Sequence, residues 1–81
     1  MNNSTTVIPV LWPRKDKNGL FPIKIRVTTN RKSSYQNIGW SIKKIEWSDF
    51  KKQVKSIHDD HEEINELIVK MIDELDSKNK L

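Results

Sequence analysis

Few residues of this chain are of types that carry covalent chemistry, and their spacing does not suit it. His58 and His61 stand three apart in the run His58-Asp59-Asp60-His61-Glu62, a spacing that on a helix turns two imidazoles toward one metal ion. The same residues at a helix start cap and solvate the first turn, and that is the reading adopted, with no metal. There is no cysteine to act as nucleophile or thiolate ligand, and Gly19 and Gly39 are the only glycines, so no glycine-rich phosphate loop exists. Tyr35 is the sole tyrosine; nothing near it in the sequence would activate it, so stacking or packing is its expected role. No Ser/His/Asp set stands at a recognisable spacing. No catalytic residues and no cofactor are expected.

The chain is rich instead in cations and hydrogen-bonding side chains placed in alternation. From Phe21 the odd positions Phe21, Ile23, Ile25 and Val27 are apolar, and the even ones are Pro22, Lys24, Arg26 and Thr28. On a strand this gives one greasy face and one cationic face. Ser33, Tyr35 and Asn37 follow at the same period, and the turns between supply Arg14, Lys15, Lys17, Arg31 and Lys32. Arginine can read guanine with a bidentate fork, asparagine can read adenine, and lysine, serine and threonine can hold phosphates. Polar residues face water on any one-sided sheet. Such a face usually mixes signs, however, and segments 5–12 and 21–40 contain no acid at all.

Charge is also divided along the chain. Residues 1–58 carry twelve Lys/Arg against three acids, net +9, whereas residues 59–81 carry three lysines against eight acids, net −5. One surface should attract a polyanion and another should not.

These side chains need elements to hold them. Residues 5–12 and 21–29 read as strands, and Asp16-Lys17-Asn18-Gly19 between them reads as a tight turn, since Asn-Gly suits a type I′ hairpin. Residues 33–40 make a third, more polar strand after the turn Asn30-Arg31-Lys32. A two-residue turn at Asn30-Arg31 sets Ile38 opposite Ile23, Trp40 opposite Phe21, Tyr35 opposite Arg26 and Asn37 opposite Lys24. Pairing about Asn18-Gly19 sets Trp12 opposite Ile25 and Val10 opposite Val27, so one register serves both hairpins. A longer first loop would flip the phase of the first strand. Gln36 falls on the inner face, which asks for a twist there or a register shifted by one. Pro9 marks the first strand as an edge, and Pro22 is tolerated near a strand start.

Residues 41–58 read as a loop or short helical turn tucking Trp47 against the core, and Trp12 and Trp40 are also assigned to the core. Ile64, Leu67, Ile68, Met71, Ile72 and Leu75 form the stripe of an amphipathic helix from about residue 59 or 60 to 77. Asp59, Asp60, Glu62 and Glu63 at its start and Lys78 and Lys80 at its end suit the helix dipole. The expected fold is α+β: a three-stranded antiparallel meander packed on one C-terminal helix, β-β-β-α. With 81 residues the core must be thin, since such a chain buries only about 60% of its unfolded surface. No segment resembles a signal peptide or reaches the roughly 20 apolar residues of a membrane span. A soluble cytoplasmic chain is expected.

An ordered succession of residues adds a family likeness. Arg14-Lys15-Asp16-Lys17-Asn18-Gly19, then Pro22-Ile23, Arg26, Arg31-Lys32, Gly39, Trp47 and Ile64-Asn65 with Leu67 resembles the arm-type DNA-binding domain that opens many tyrosine recombinases of Bacteroides-type mobile elements and phages. The resemblance spans nearly the whole chain. It implies a sheet backed by a helix, with the exposed sheet face in the major groove of arm-type sites on double-stranded DNA. It also implies an accessory role in integration or excision within the bacterial nucleoid. Lys24 and Arg26 become the foremost contacts, with Tyr35 and Asn37 beside them, while Gly39 and Trp47 match structural positions. The family's catalytic residues belong to a later domain, so this chain reads as a single domain, 1–81, excised from a longer recombinase. Its partners would then include the other domains and other protomers. Two other readings stand beside it. One is a protein-interaction module using the acidic helix; the other is an RNA-binding sheet, for which Tyr35 is a meagre stacking surface.

Overall fold

The structure, a computed structural model, describes residues 5–78. The expected place of Lys80 near the helix end lies outside the described residues. The strand with the strictest alternation, β2 (Phe21–Thr29), sits at the centre of a three-stranded antiparallel sheet between β1 (Thr5–Leu11) and β3 (Lys32–Ile42). A helix, α1 (His61–Lys78), covers one face. The α+β, β-β-β-α architecture is as expected, with β3 two residues longer at its end and the helix beginning slightly later.

The apolar period of β2 is what holds the layers together. Ile23 and Ile25 are fully buried and meet Ile38 and Ile42 of β3 and Ile64 and Ile68 of α1. Leu67, Met71, Ile72 and Leu75 pack around them. Each fully buried aliphatic side chain contributes about 1.5–3 kcal/mol, so this short set supplies most of the drive to fold.

The second hairpin follows the expected register at its turn. Asn30 and Arg31 have φ of 53° and 68°, the two positive values of a type I′ turn, and Tyr35 pairs with Arg26 and Asn37 with Lys24. Farther along, the pairing slips between Pro22 and Lys24. The extra residues of β3 bulge around Gly39, whose φ of 91° a side chain rarely adopts, and the Asn37 Oδ1 accepts the Gly39 N–H at 2.9 Å. Phe21 therefore faces Ile42 and not Trp40, and Ile38 lies within the bulge. The slip spans an even number of residues, so Ile38 and Ile42 still point inward. Gln36 does pair with Ile25 on the inner face, but it is exposed, because the helix leaves that stretch of β3 uncovered.

The first hairpin departs from expectation. Only Gly19 of the Asn18-Gly19 pair has positive φ, at 78°, so no type I′ turn forms there. The Asp16 carboxylate instead organises a longer loop: its Oδ1 accepts the N–H of Asn18 at 2.8 Å and of Leu20 at 3.0 Å. Its backbone N–H donates to Leu20 O at 2.7 Å and its carbonyl accepts Gly19 N–H at 3.0 Å. Val7, Pro9 and Leu11 consequently face Val27, Ile25 and Ile23. Against the expected pairs Val10–Val27 and Trp12–Ile25 this is an odd shift, which turns β1 over. Ile8 and Val10 pair with Arg26 and Lys24 on the far side of the sheet, and Trp12 goes with them.

Those hydrogen bonds hold the Asp16 carboxyl below its usual range, the Leu20 N–H first among the causes, and burial opposes them. A depressed folded pKa means the contribution is present above the unfolded value, near 3.8, and lost as pH falls through the folded one. Asp16→Ala should therefore lower the melting temperature at pH 6, and the gap from the unmodified chain should shrink by pH 3. A gap independent of pH would refute the carboxylate's role.

The stretch from 41 to 58 is more ordered than a loop. A single 3-10 turn (Lys44–Glu46) leads into a small hairpin of β4 (Trp47–Ser48) and β5 (Gln53–Val54), closed through Lys52 at φ 56°. Trp47 and Val54 are buried, as expected of Trp47. Asn65 of α1 ties the hairpin down: its Oδ1 accepts Val54 N–H at 2.8 Å and its Nδ2 donates to Val54 O at 3.0 Å. At the helix start the His58 Nδ1 accepts Asp60 N–H at 3.0 Å and His58 O accepts His61 N–H at 3.1 Å. Both histidines are tied into the turn that leads into the helix, the His61 Nδ1 also lying 2.9 Å from His58 O.

Candidate nucleic-acid interface

The face of the sheet away from α1 is built by the even residues of β1 and β2 and the odd residues of β3. Pairing sets Lys24 between Val10 and Asn37, Arg26 between Ile8 and Tyr35, and Thr28 between Thr6 and Ser33. The six strand residues expected on the free face, Lys24, Arg26, Thr28, Ser33, Tyr35 and Asn37, are thus brought together. Arg31 and Lys32 lie at one end, by the second turn, and Arg14, Lys15 and Lys17 at the other, in the first loop. All five turn cations are exposed. Three strands at about 4.8 Å spacing span roughly 10 Å between outer strands, within a major groove about 12 Å wide.

Several of these side chains already have partners. The Lys24 ammonium lies 4.0 Å from the centre of the Trp12 ring, and Trp12 meets Tyr35 edge to face at 4.9 Å. Attraction to the ring face parks a cation on an aromatic shelf in the middle of the surface. Thr28 and Ser33 share a hydroxyl bond of 2.9 Å. The Asn37 carbonyl oxygen is taken by Gly39 N–H, so reading adenine through both amide atoms would draw on its second lone pair. The Arg26 Nε is covered and has no hydrogen-bond partner among the described residues.

Ile8, Val10 and Trp12 were not anticipated on this surface. Their placement follows from the length of the first loop, and that length was the available signal. They give the cationic face an apolar flank on β1 suited to thymine methyl groups.

Residues 11–81 match the family described as Arm DNA-binding domain. The chain belongs to that family. No curated protein and no solved structure matches it. An arm DNA-binding domain is a non-catalytic module that binds DNA, consistent with the sparse chemistry of the sequence. The match starts at the last residue of β1, so Ile8 and Val10 precede it. No helix among the described residues is long and apolar enough to cross a membrane.

One cation of this arm DNA-binding domain is held at a cost. Left-handed backbone disfavours residues with a Cβ by about 1–2 kcal/mol, and Arg31 occupies it where a glycine would serve. Glycine loses about 0.5–1 kcal/mol through chain entropy. Arg31→Gly should therefore raise stability by about 0.5–1 kcal/mol while weakening DNA binding. Thermal melts with binding isotherms at two salt concentrations check this; a variant that gains stability at unchanged affinity would remove Arg31 from the interface.

Proposed function

We propose that this domain lays the free face of its sheet in the major groove of duplex DNA at arm-type sites. In this reading it is the accessory domain of a site-specific tyrosine recombinase acting in integration or excision. The observation that carries it is the central strand: Lys24 and Arg26 stand side by side on a face whose strands hold no acid, between two groups of turn cations. Arg26 reads a base edge. Lys24 leaves the Trp12 ring for an acceptor on the DNA, and Thr28, Ser33, Tyr35 and Asn37 hold the flanks. Arg14, Lys15, Lys17, Arg31 and Lys32 neutralise phosphates at the two ends. The catalytic residues belong to other domains of a longer protein, with which this domain and its counterparts in other protomers work in the bacterial nucleoid.

A single module of this kind buries roughly 600–1,000 Å², so binding by the isolated domain is weak and salt-sensitive. The test is an amide chemical-shift titration with a mixed-sequence duplex at low and moderate salt. Shifts centred on Lys24–Asn37 and the basic turns, fading as salt rises, are expected. Shifts confined to the outer side of α1 would replace this reading with a protein-interaction role for the acidic helix. A preference for single-stranded RNA over the duplex would replace it with an RNA-binding one.

A further inference from the structure

The β4–β5 hairpin carries features that neither the core nor the sheet face uses. Phe50, at its tip, is 95% exposed. Lys43, Lys44, Lys51, Lys52 and Lys55 surround it in sequence, all exposed. The two acids among them are engaged internally. The Glu46 Oε1 accepts Lys43 N–H at 2.8 Å, and Asp49 accepts the Trp47 indole N–H at 3.3 Å and pairs with Lys52 at 3.7 Å. Lys43, Lys44, Lys51 and Lys55 have no carboxylate in reach among the described residues.

The tip is also firmly held. Lys51 N–H donates to Ser48 Oγ at 3.1 Å, and Trp47, Val54 and the Asn65 clamp fix the hairpin to the core. A cleft lined by Trp12, Pro13 and Phe21 on one side and Lys44, Trp47 and Asp49 on the other joins it to the loop end of the sheet. Lys15 stands over the Phe21 ring at 6.0 Å, so at this cleft Lys44 adjoins the cations of the first loop, while Lys51 and Lys55 line a second groove beside Ile57 and His61.

An exposed aromatic ring on a cationic tip anchored to the core matches the means by which proteins enter the minor groove, where an apolar side chain wedges at a base step and flanking cations hold phosphates. We propose that this hairpin is a second DNA contact: Phe50 enters the minor groove beside the major-groove site, with Lys44, Lys51 and Lys55 on the adjoining phosphates. The proposal rests on the sheet-face reading for where the DNA lies.

The experiment uses the tightest-binding duplex selected from random sequence, in two lengths. One is trimmed to about one helical turn, roughly 10 base pairs, and the other is extended by about half a turn at both ends. The unmodified domain, Phe50→Ser, the double variant Lys51→Ala/Lys55→Ala and Arg26→Ala are compared, with a dye pair at the duplex ends to report bending. Phe50→Ser should bind the long duplex about tenfold more weakly and lose its bend, and should bind the trimmed duplex as the unmodified domain does. The double lysine variant should lower the salt slope on the long duplex by roughly two. Equal affinity of Phe50→Ser and the unmodified domain on the long duplex, or equal weakening on both lengths, overturns the proposal. Arg26→Ala separates the two readings. Loss of binding by Arg26→Ala with Phe50→Ser neutral removes the hairpin contact alone, and full binding by Arg26→Ala removes the sheet-face reading.

Discussion

Arg26→Ala is expected to weaken binding of the preferred duplex by about 10- to 100-fold and to flatten discrimination at one base pair. A bidentate arginine–guanine contact carries about 1–3 kcal/mol of discrimination, and each 1.4 kcal/mol is about tenfold. Position makes Arg26 the residue to test. It lies on the central strand with Ile8 on one side and Tyr35 on the other, so its half-buried stem is aimed by packing. Its Nε is covered and makes no hydrogen bond in the free domain, and the cover limits the ways the group can turn. Arg26→Lys separates charge from shape, because it keeps the cation and loses the planar fork. It should bind non-specific duplex almost as well as the unmodified domain and discriminate as poorly as the alanine variant. Lys32→Ala, at the exposed second turn, should instead weaken every sequence alike and lower the salt slope by about one. Measured across a panel of single-base variants of the site, parallel losses for Arg26→Ala and Lys32→Ala on all duplexes would rule out base reading by Arg26.

The largest effect on stability is expected from Asn65→Leu. Asn65 satisfies both backbone groups of the buried Val54, standing where a neighbouring strand would. Leucine keeps the branching at Cγ but cannot hydrogen-bond, and leaves an N–H and a carbonyl without partners. At about 1–3 kcal/mol for each orphaned group, the loss is about 2–4 kcal/mol after partial hydration. Domains of this size have about 5–10 kcal/mol in total, and each kcal/mol moves the melting point by about 4–8 °C. A fall of roughly 10–25 °C is therefore expected, with hydrogen exchange accelerating first at Gln53–Lys55. Asn65→Asp, which keeps the acceptor and loses the donor, should fall between. A melting point within about 3 °C of the unmodified domain would mean that the clamp contributes little.

What could be read in the chain depended on whether a segment's own pattern carried its orientation. β2 alternates strictly, so its two faces were legible from Phe21 to Thr28, and with them the central pair Lys24 and Arg26. The 3.6 period of α1 was equally plain. β1 is apolar from Val7 to Trp12, so nothing in it distinguishes its sides, and its phase had to be borrowed from the loop. There Asn18-Gly19 signalled a two-residue turn, but the Asp16 carboxylate outcompetes that signal by capturing the N–H groups of Asn18 and Leu20. An odd change in loop length then moved Ile8, Val10 and Trp12 from the core side to the free face of the sheet. The small hairpin was illegible for a different reason. Two-residue strands have no period to detect, and what defines them is a hydrogen-bonding side chain eleven residues away, on the helix.

If the free face of the sheet meets DNA, the helix that covers the other face also acts on the encounter. Its outer side bears Glu62, Glu63, Glu66, Asp73 and Glu74, all exposed, directly behind a face whose strands are free of acids. In the field of a polyanion such a body feels a torque as well as a pull. A domain approaching back-first is turned round before contact, so productive collisions become a larger share of all collisions. Neutralising these acids would leave every residue of the free face in place and raise the net charge above +4, so the domain would meet DNA more often at low salt while a smaller share of encounters arrived sheet-first.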